Sequence, residues 1–196
     1  MTSLTRTDSQ AQTRRRLIDA GAEVFSRRGY RGAVLDEIAE QAGYTIGAIY
    51  SNFSTKHELF LAVLEDHVGG RIEEVARALE QASTSDAAIE LSAADTVRHL
   101  RDDPTWLPLF IEYWSEAMRE PAVRERFAEY QLETRRRLTE LIGDWARKND
   151  RQLPLDPDDV AVIIKALTNG IALEQMAAPG TIDDDLLMRA LQLLAG

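Results

Sequence analysis

Between Leu35 and Phe53 two short stretches of apolar periodicity are separated by one glycine, a pattern that a tight pair of helices satisfies. In Leu35–Ala42 the residues Ile38, Ala39 and Ala42 fall on one side of a helix, and Gly43 stops it in the left-handed conformation that side chains resist. A second short helix then runs to about Asn52, with Ile49 and the following Phe53 facing inward. Thr45 is expected to supply its N-cap oxygen. Small Ala39 lets the two helices cross closely, while Ile38 and Ile49 wedge them together. The second helix is thereby held out from the fold as a rigid rod.

Helical signals occupy the rest of the chain, and no strand-like alternation persists. A first helix is expected from Ser9 to Arg28, its stripe of Leu17, Ile18, Gly21, Val24 and Phe25 ending at Gly29, with Tyr30 folding back on it. Thr55-Lys56-His57-Glu58 reads as a capping box opening a long fourth helix. Further breaks fall at Ser83–Asp86, Asp103-Pro104, Pro121 and Asn149-Asp150. Asp156-Pro157-Asp158-Asp159 combines a cap, a proline at the first helical position and acids at the positive end of the helix dipole. Pro179-Gly180 stops that helix, and one more follows. The expectation is an all-α chain of about nine helices.

The paired short helices have the physics of a helix-turn-helix, whose second helix enters the major groove, where base edges differ. With the continuation Ser54–Phe60, the segment closely resembles the DNA-binding signature of the TetR family of regulators. The matching pieces are Ile38-Ala39, Ala42-Gly43, Thr45, Gly47-Ala48, Tyr50, Phe53, Lys56 and Leu59, with Phe25 and Gly29-Tyr30 fitting the end of the first helix. The resemblance covers residues 12–65 in detail. It implies a DNA-binding domain at 1–55, with 1–8 a flexible arm carrying Arg6, and a helical ligand-binding and dimerisation domain at 56–196.

It also implies roles. Thr45 offers its hydroxyl and the helix-start amides to a phosphate, Tyr50 sets its phenol on the backbone, and Lys56 holds another phosphate. Arg14, with Arg15 and Arg16, adds backbone or minor-groove contacts, or forms a solvated face. Gly47 and Ala48 permit close approach, Ile46 can touch a thymine methyl, and Ser51 or Asn52 can hydrogen-bond a base. Two positions depart from the family: Ile46 stands where many members have Lys or Arg, and Val34 where Thr or Ser commonly caps the second helix. Phe53 reads best as a core aromatic.

The net charge of −10 looks wrong for a nucleic-acid partner until it is divided. Residues 1–56 carry eight basic and six acidic side chains, net +2, which leaves −12 for the remainder. A DNA-contacting end on an acidic body fits this asymmetry. There is no cysteine, hence no disulfide or thiolate metal site. No secretory signal or uninterrupted span-length apolar run is read, so a cytoplasmic protein without a membrane partner is expected.

In the second half, Trp106, Phe110, Tyr113, Trp114 and Met118 form a dense aromatic run that reads as the lining of a small-molecule effector site or, equally, as core. Asn169 is a candidate polar anchor. Ile163, Leu167 and Ile171 on one helix, with Leu187 and Leu191 on the last, are candidate elements of a two-fold homodimer. Three histidines, no Glu-x-x-His spacing, no nucleophile elbow and no phosphate loop leave little basis for an enzyme, and no catalytic residue, metal or cofactor is expected. A binding module that has lost operator recognition, or an activator, is the competing reading.

Overall fold

A computed structural model describes residues 6–82 and 84–195. Among them are nine helices and no strand: α1 Arg6–Gly32, α2 Leu35–Ala42, α3 Ile46–Asn52, α4 Lys56–Gln81, α5 Ser85–Asp102, α6 Trp106–Arg119, α7 Pro121–Lys148, α8 Pro157–Ala177 and α9 Leu186–Ala195. Two compact units emerge, one from residues 1–68 with 108–130, the other from 69–107 with 131–196. Residues 1–5 of the expected arm lie outside the described residues. Helix α1 starts at Arg6, three residues earlier than its periodicity suggested.

The first unit is built on aliphatic and aromatic burial. Leu17, Val24 and Phe25 of α1, Ile38 of α2, Ile49 of α3 and Leu59, Phe60 and Leu64 of α4 are fully buried. Tyr30 does fold back: its ring stacks on Phe25 at 6.1 Å and meets Phe60 edge-on at 5.0 Å. Tyr113 of α6 completes the cluster, 4.4 Å from Phe60 and 4.9 Å from Tyr30, with Phe127 of α7 at 5.6 Å. The Tyr30 hydroxyl lies 2.5 Å from His57 Nδ1. Burial lowers the His57 pKa, which favours the neutral ring and leaves Nδ1 able to accept. The Tyr113 hydroxyl is buried with no hydrogen-bond partner among the described residues.

The end of α1 shows why Gly29 is needed. Its φ of 72° and ψ of 169° lie in a region open almost only to glycine, so the helix breaks there although helical residues continue to Gly32. The two following amides would lose their helical acceptors, and Glu112 of α6 replaces them. Tyr30 N–H donates to Oε2 at 2.9 Å and Arg31 N–H to Oε1 at 2.8 Å. A β-carbon on residue 29 would stand 2.6 Å from Glu112 Oε2. The Arg31 guanidinium also grips Glu116 at 2.8 Å, and that pairing lowers the Glu116 pKa.

The second unit holds the later helices. Ile89, Trp145, Ala146 and Ala195 form its buried cluster, with Leu79, Leu153 and Leu191 against it. The cap expected for α8 is present, Asp158 N–H donating to Asp156 Oδ1 at 3.0 Å ahead of Pro157. Thr84 caps α5 by accepting from Ala87 N–H at 3.1 Å. Arg135 of α7 grips Asp158 with two nitrogens, and Thr139 donates to the same carboxylate at 3.1 Å. Helix α8, although interrupted by charged residues such as Lys165, is at 21 residues long and apolar enough, by length and composition, to cross a membrane, and only 17 % of its most apolar stretch is buried.

Three substitutions test this account, Gly29→Ala and Tyr113→Phe in the first unit and Gly70→Ala in the second as a reference. Gly29→Ala should lower stability by at least the ~1–3 kcal/mol of a strained backbone position, whereas Gly70→Ala, in open helical space within α4, should raise it by up to ~1 kcal/mol. Urea melts compare the two. Tyr113→Phe should leave stability unchanged or raise it by about 1 kcal/mol, because a buried hydroxyl without a partner is removed. A clear loss in the same melts would mean that the hydroxyl has a partner.

Candidate nucleic-acid interface

Helix α2 packs through Ile38 and Ala39, both buried. Gly43 then adopts φ 75° and ψ 28°, its N–H donating to Glu40 O at 3.0 Å while Tyr44 N–H donates to Ala39 O at 2.9 Å. This left-handed cap satisfies the last carbonyls of α2 and turns the chain directly into α3. Val34, at the start of α2, makes no side-chain cap, as its chemistry requires. Beyond sequence reach was the clasp that fixes α2: Arg27 reaches Glu37 at 3.2 Å and Gln41 at 2.9 Å, and Gln41 also bonds Glu23. These partners lie ten or more residues apart, outside any local pattern.

Helix α3 is held by its inner side. Ile49 and Phe53 are buried, and Phe53 N–H closes on Ile49 O at 2.8 Å. Gly47, Tyr50 and Ser51 are exposed, Tyr50 by 59 %, while Ile46, Ala48 and Asn52 are half-buried. The expected Thr45 cap is not formed. The residue has the extended N-cap backbone, but its side chain makes no cap hydrogen bond, and only its carbonyl enters the helix, accepting from Ala48 N–H at 2.9 Å. The exposed hydroxyl is therefore not spent on its own helix. Conversely, Ser51 Oγ and Asn52 Nδ2 both donate to Ala48 O, at 3.0 and 2.8 Å.

Two basic residues named from the sequence have structural partners. Arg14 donates to Asn52 O at 3.2 Å and lies 4.3 Å over the Phe53 ring, so it caps the negative end of α3. Lys56 Nζ donates to Ala33 O at 2.7 Å and Arg31 O at 3.2 Å, with the Tyr30 ring 4.8 Å away. Burial lowers its pKa. Two of its three N–H groups thus hold the α1–α2 corner, leaving one for an outside acceptor. The capping box of α4 is offset: Thr55 Oγ1 accepts from Glu58 N–H at 3.1 Å, but Glu58 accepts in return from Ser54 N–H at 2.7 Å, not from Thr55. Arg15 pairs with Asp19 and Asp66, and Arg16 is exposed.

The residues named for effector and dimer roles fall in both units. In the first, Phe110 and Tyr113 are buried, whereas Trp114 and Met118 are exposed; Trp114 meets Phe110 at 5.4 Å and Phe127 at 5.8 Å. In the second, Trp106 and Asn169 are half-buried. Ile163, Leu167, Ile171 and Leu191 are half-buried, and Leu187 is buried in its own unit. The apolar residues most exposed on α8 and α9 are others: Val162, Leu173, Met176, Leu186 and Leu193. On α8, Val162, Ala166, Asn169, Leu173 and Met176 recur at three- and four-residue spacing along one face. Heptad-like bands alone could not tell this outer face from the inner one.

Comparison with known proteins gives this geometry its context. A family profile described as "Bacterial regulatory proteins, tetR family" matches residues 17–63, and one described as "BetI-type transcriptional repressor, C-terminal" matches residues 87–194. The HTH-type transcriptional activator FasR of Mycolicibacterium smegmatis is 43 % identical over 83 residues, which is 42 % of this chain and 37 % of FasR. The HTH-type transcriptional regulator BetI of Escherichia coli is 24 % identical over 179 residues, 90 % of this chain and 89 % of BetI. The match to FasR, like those to SrpR and TtgW of Pseudomonas putida, spans well under two thirds of the relative's length. A TetR-family regulator from a Rhodococcus species superposes with a TM-score of 0.74 at 21 % identity, over 95 % of this chain and all of that one. The regulator FadR of Bacillus subtilis, solved with stearoyl-CoA, gives 0.68 at 20 % identity, over 93 % and 97 %. These structures establish a shared fold. With the two profiles covering its helix-turn-helix and most of the helices that follow, the chain belongs to the TetR family of bacterial transcriptional regulators.

Proposed function

We propose that the chain represses transcription as a homodimer, seating paired α3 helices in a palindromic double-stranded DNA operator and leaving when a small apolar or aromatic effector binds. The observation that carries this reading is α3 itself: anchored by buried Ile49 and Phe53, it turns Gly47, Tyr50 and Ser51 outward with the unspent Thr45 hydroxyl beside them. Residues 1–55 serve DNA binding, and 56–196 serve effector binding and dimerisation. Repression follows the description of the C-terminal profile. A DNA partner puts the site of action in the cytoplasm.

Thr45 and Tyr50 meet phosphates, and Lys56 adds the third N–H of its ammonium. Arg14 contributes by fixing the end of α3. Trp114 and Met118 offer the effector an exposed apolar surface on α6, with buried Phe110 beneath Trp114. Solved proteins of this fold are described in complex with stearoyl-CoA and with choline, which supports a small-molecule effector without naming one. An effector that prefers one tilt of α4, the helix beginning at Lys56, would shift the spacing of the α3 helices and change operator affinity by its differential binding energy, typically ~1–3 kcal/mol.

The outer face of α8 supports the dimer. Val162, Leu173 and Met176 are exposed on one side while Val160, Ala161 and Ala172 are buried. A lipid-facing helix has no need of Lys165, whose Nζ bonds Gln131 Oε1 at 3.1 Å. Asn169 on the outer stripe suits a register-setting polar residue in an interface better than an effector anchor. Two reading heads with few base contacts each roughly double the binding free energy when joined.

Tyr50→Phe and Lys56→Ala should weaken binding to all duplexes alike, and Lys56→Ala should flatten the salt dependence by about one unit of slope. Fluorescence anisotropy over a salt series measures both, below the melting temperature of the less stable Lys56 variant; altered base preference would overturn the backbone roles. Leu173→Asp should turn the dimer into a monomer in sedimentation analysis while keeping its helical content. It should weaken DNA binding by about two orders of magnitude or more, and a Leu173→Asp dimer would remove α8 from the interface.

A further inference from the structure

We infer that α3 reads its half-site through thymine methyl groups, with Ile46 as the specificity-determining side chain and no guanine read by this helix; the inference rests on α3 being the DNA-reading helix. It starts from what α3 lacks. Ile46-Gly47-Ala48-Ile49-Tyr50-Ser51-Asn52 contains no Arg, Lys, Asp, Glu or Gln. In the major groove, guanine is read by paired donors from Arg or Lys, cytosine by a carboxylate, and adenine by both atoms of an Asn or Gln amide. Two of these three routes need side chains that are absent.

The remaining amide is engaged. Asn52 is half-buried, and its Nδ2 donates to Ala48 O at 2.8 Å, the carbonyl that also takes the Ser51 hydroxyl at 3.0 Å. Asn52 Nδ2 also donates to Ser51 Oγ at 3.4 Å, so both N–H groups have acceptors within the helix and a two-pronged contact with adenine would have to break one of them. What α3 presents instead is methyl surface, from half-buried Ile46 in its first turn and half-buried Ala48. The one base mark that such surface recognises is the C5 methyl of thymine.

Gly47 adds an independent observation. It lies between those two residues, exposed, with a helical backbone rather than a positive φ. A β-carbon there would meet only Thr45 Oγ1, at 3.6 Å. The fold has no need of glycine at this position, although glycine weakens a helix interior relative to alanine. An exposed glycine that the fold does not require fits close approach of a partner's surface to the backbone. Such an approach brings short side chains like Ile46 and Ala48 to the base edges.

The test begins with duplexes selected by the protein from a random pool. In the best duplex each thymine is replaced in turn by deoxyuridine, which keeps the pairing and removes only the methyl. Each guanine is separately replaced by 7-deazaguanine, which removes the N7 acceptor. One or two deoxyuridine positions per half-site should weaken binding about fourfold each, the value of ~0.8 kcal/mol per buried methyl group at 1.4 kcal/mol per tenfold. That loss should vanish in Ile46→Ala, while the deazaguanine duplexes bind as the parent does. Deoxyuridine tolerated everywhere, a penalty that survives in Ile46→Ala, or a larger loss with deazaguanine would overturn the inference alone. A pool from which nothing is enriched would overturn the regulator reading beneath it.

Discussion

The first unit turns on one carboxylate. Gly29 breaks α1 in a conformation that leaves the amides of Tyr30 and Arg31 without helical acceptors, and Glu112 receives both. Hydrogen bonds to a charged group contribute roughly 1.5–3 kcal/mol each, and leaving such amides buried and unpaired costs a comparable amount. The same corner is gripped from the other side by Lys56, on the carbonyls of Arg31 and Ala33. Donors are satisfied by α6 and acceptors by α4, so the path of the chain into α2 is fixed at both kinds of backbone group. The direction of α3 follows from that path, through the Arg27–Glu37–Gln41 clasp and the Gly43 turn.

What α3 gains in rigidity it lacks in chemistry. Ser51 and Asn52 turn back on Ala48 O, Tyr50 points outward, and the helix carries no charge. A helix of this composition supplies shape and methyl groups, so under the proposed function affinity comes from phosphate contacts around it and from doubling the reader. The acidic remainder of the chain, at −12, confines attraction for DNA to the basic end. The proposed dimer would answer both features at once, covering the exposed apolar stripe on α8 and doubling a weak reader.

Much of this architecture was legible because it is local. The α2–Gly43–α3 pattern, the cap before Pro157 and the return of Tyr30 onto Phe25 depend on residues within a few turns of one another, where periodicity and turn chemistry carry the information. What stayed illegible is how individual side chains are engaged. Thr45 looked like an N-cap, yet nothing local requires its hydroxyl to bond the helix. The intramolecular partners of Arg14 and Lys56 were out of reach because Asn52 O, Arg31 O and Ala33 O lie 23 to 38 residues away and belong to the backbone, which no side-chain pattern reveals. The dimer bands were read from apolar spacing alone, which cannot separate Leu187, buried in its own unit, from Leu193, 80 % exposed six residues later.

The double duty of Lys56 carries a physical consequence. An ammonium that spends two N–H groups on backbone carbonyls is a poorer point charge for phosphate than a fully solvated lysine, and its partial burial favours the neutral form. A phosphate brought to the third N–H would favour the charged form and strengthen its bonds to the carbonyls as well. DNA binding and the tightening of the α1–α2 corner would then be one event, each favouring the other by the same free energy. If Lys56 holds a phosphate as proposed, whatever loosens that corner would oppose DNA binding without touching a base, and the helix that begins at Lys56 is well placed to loosen it.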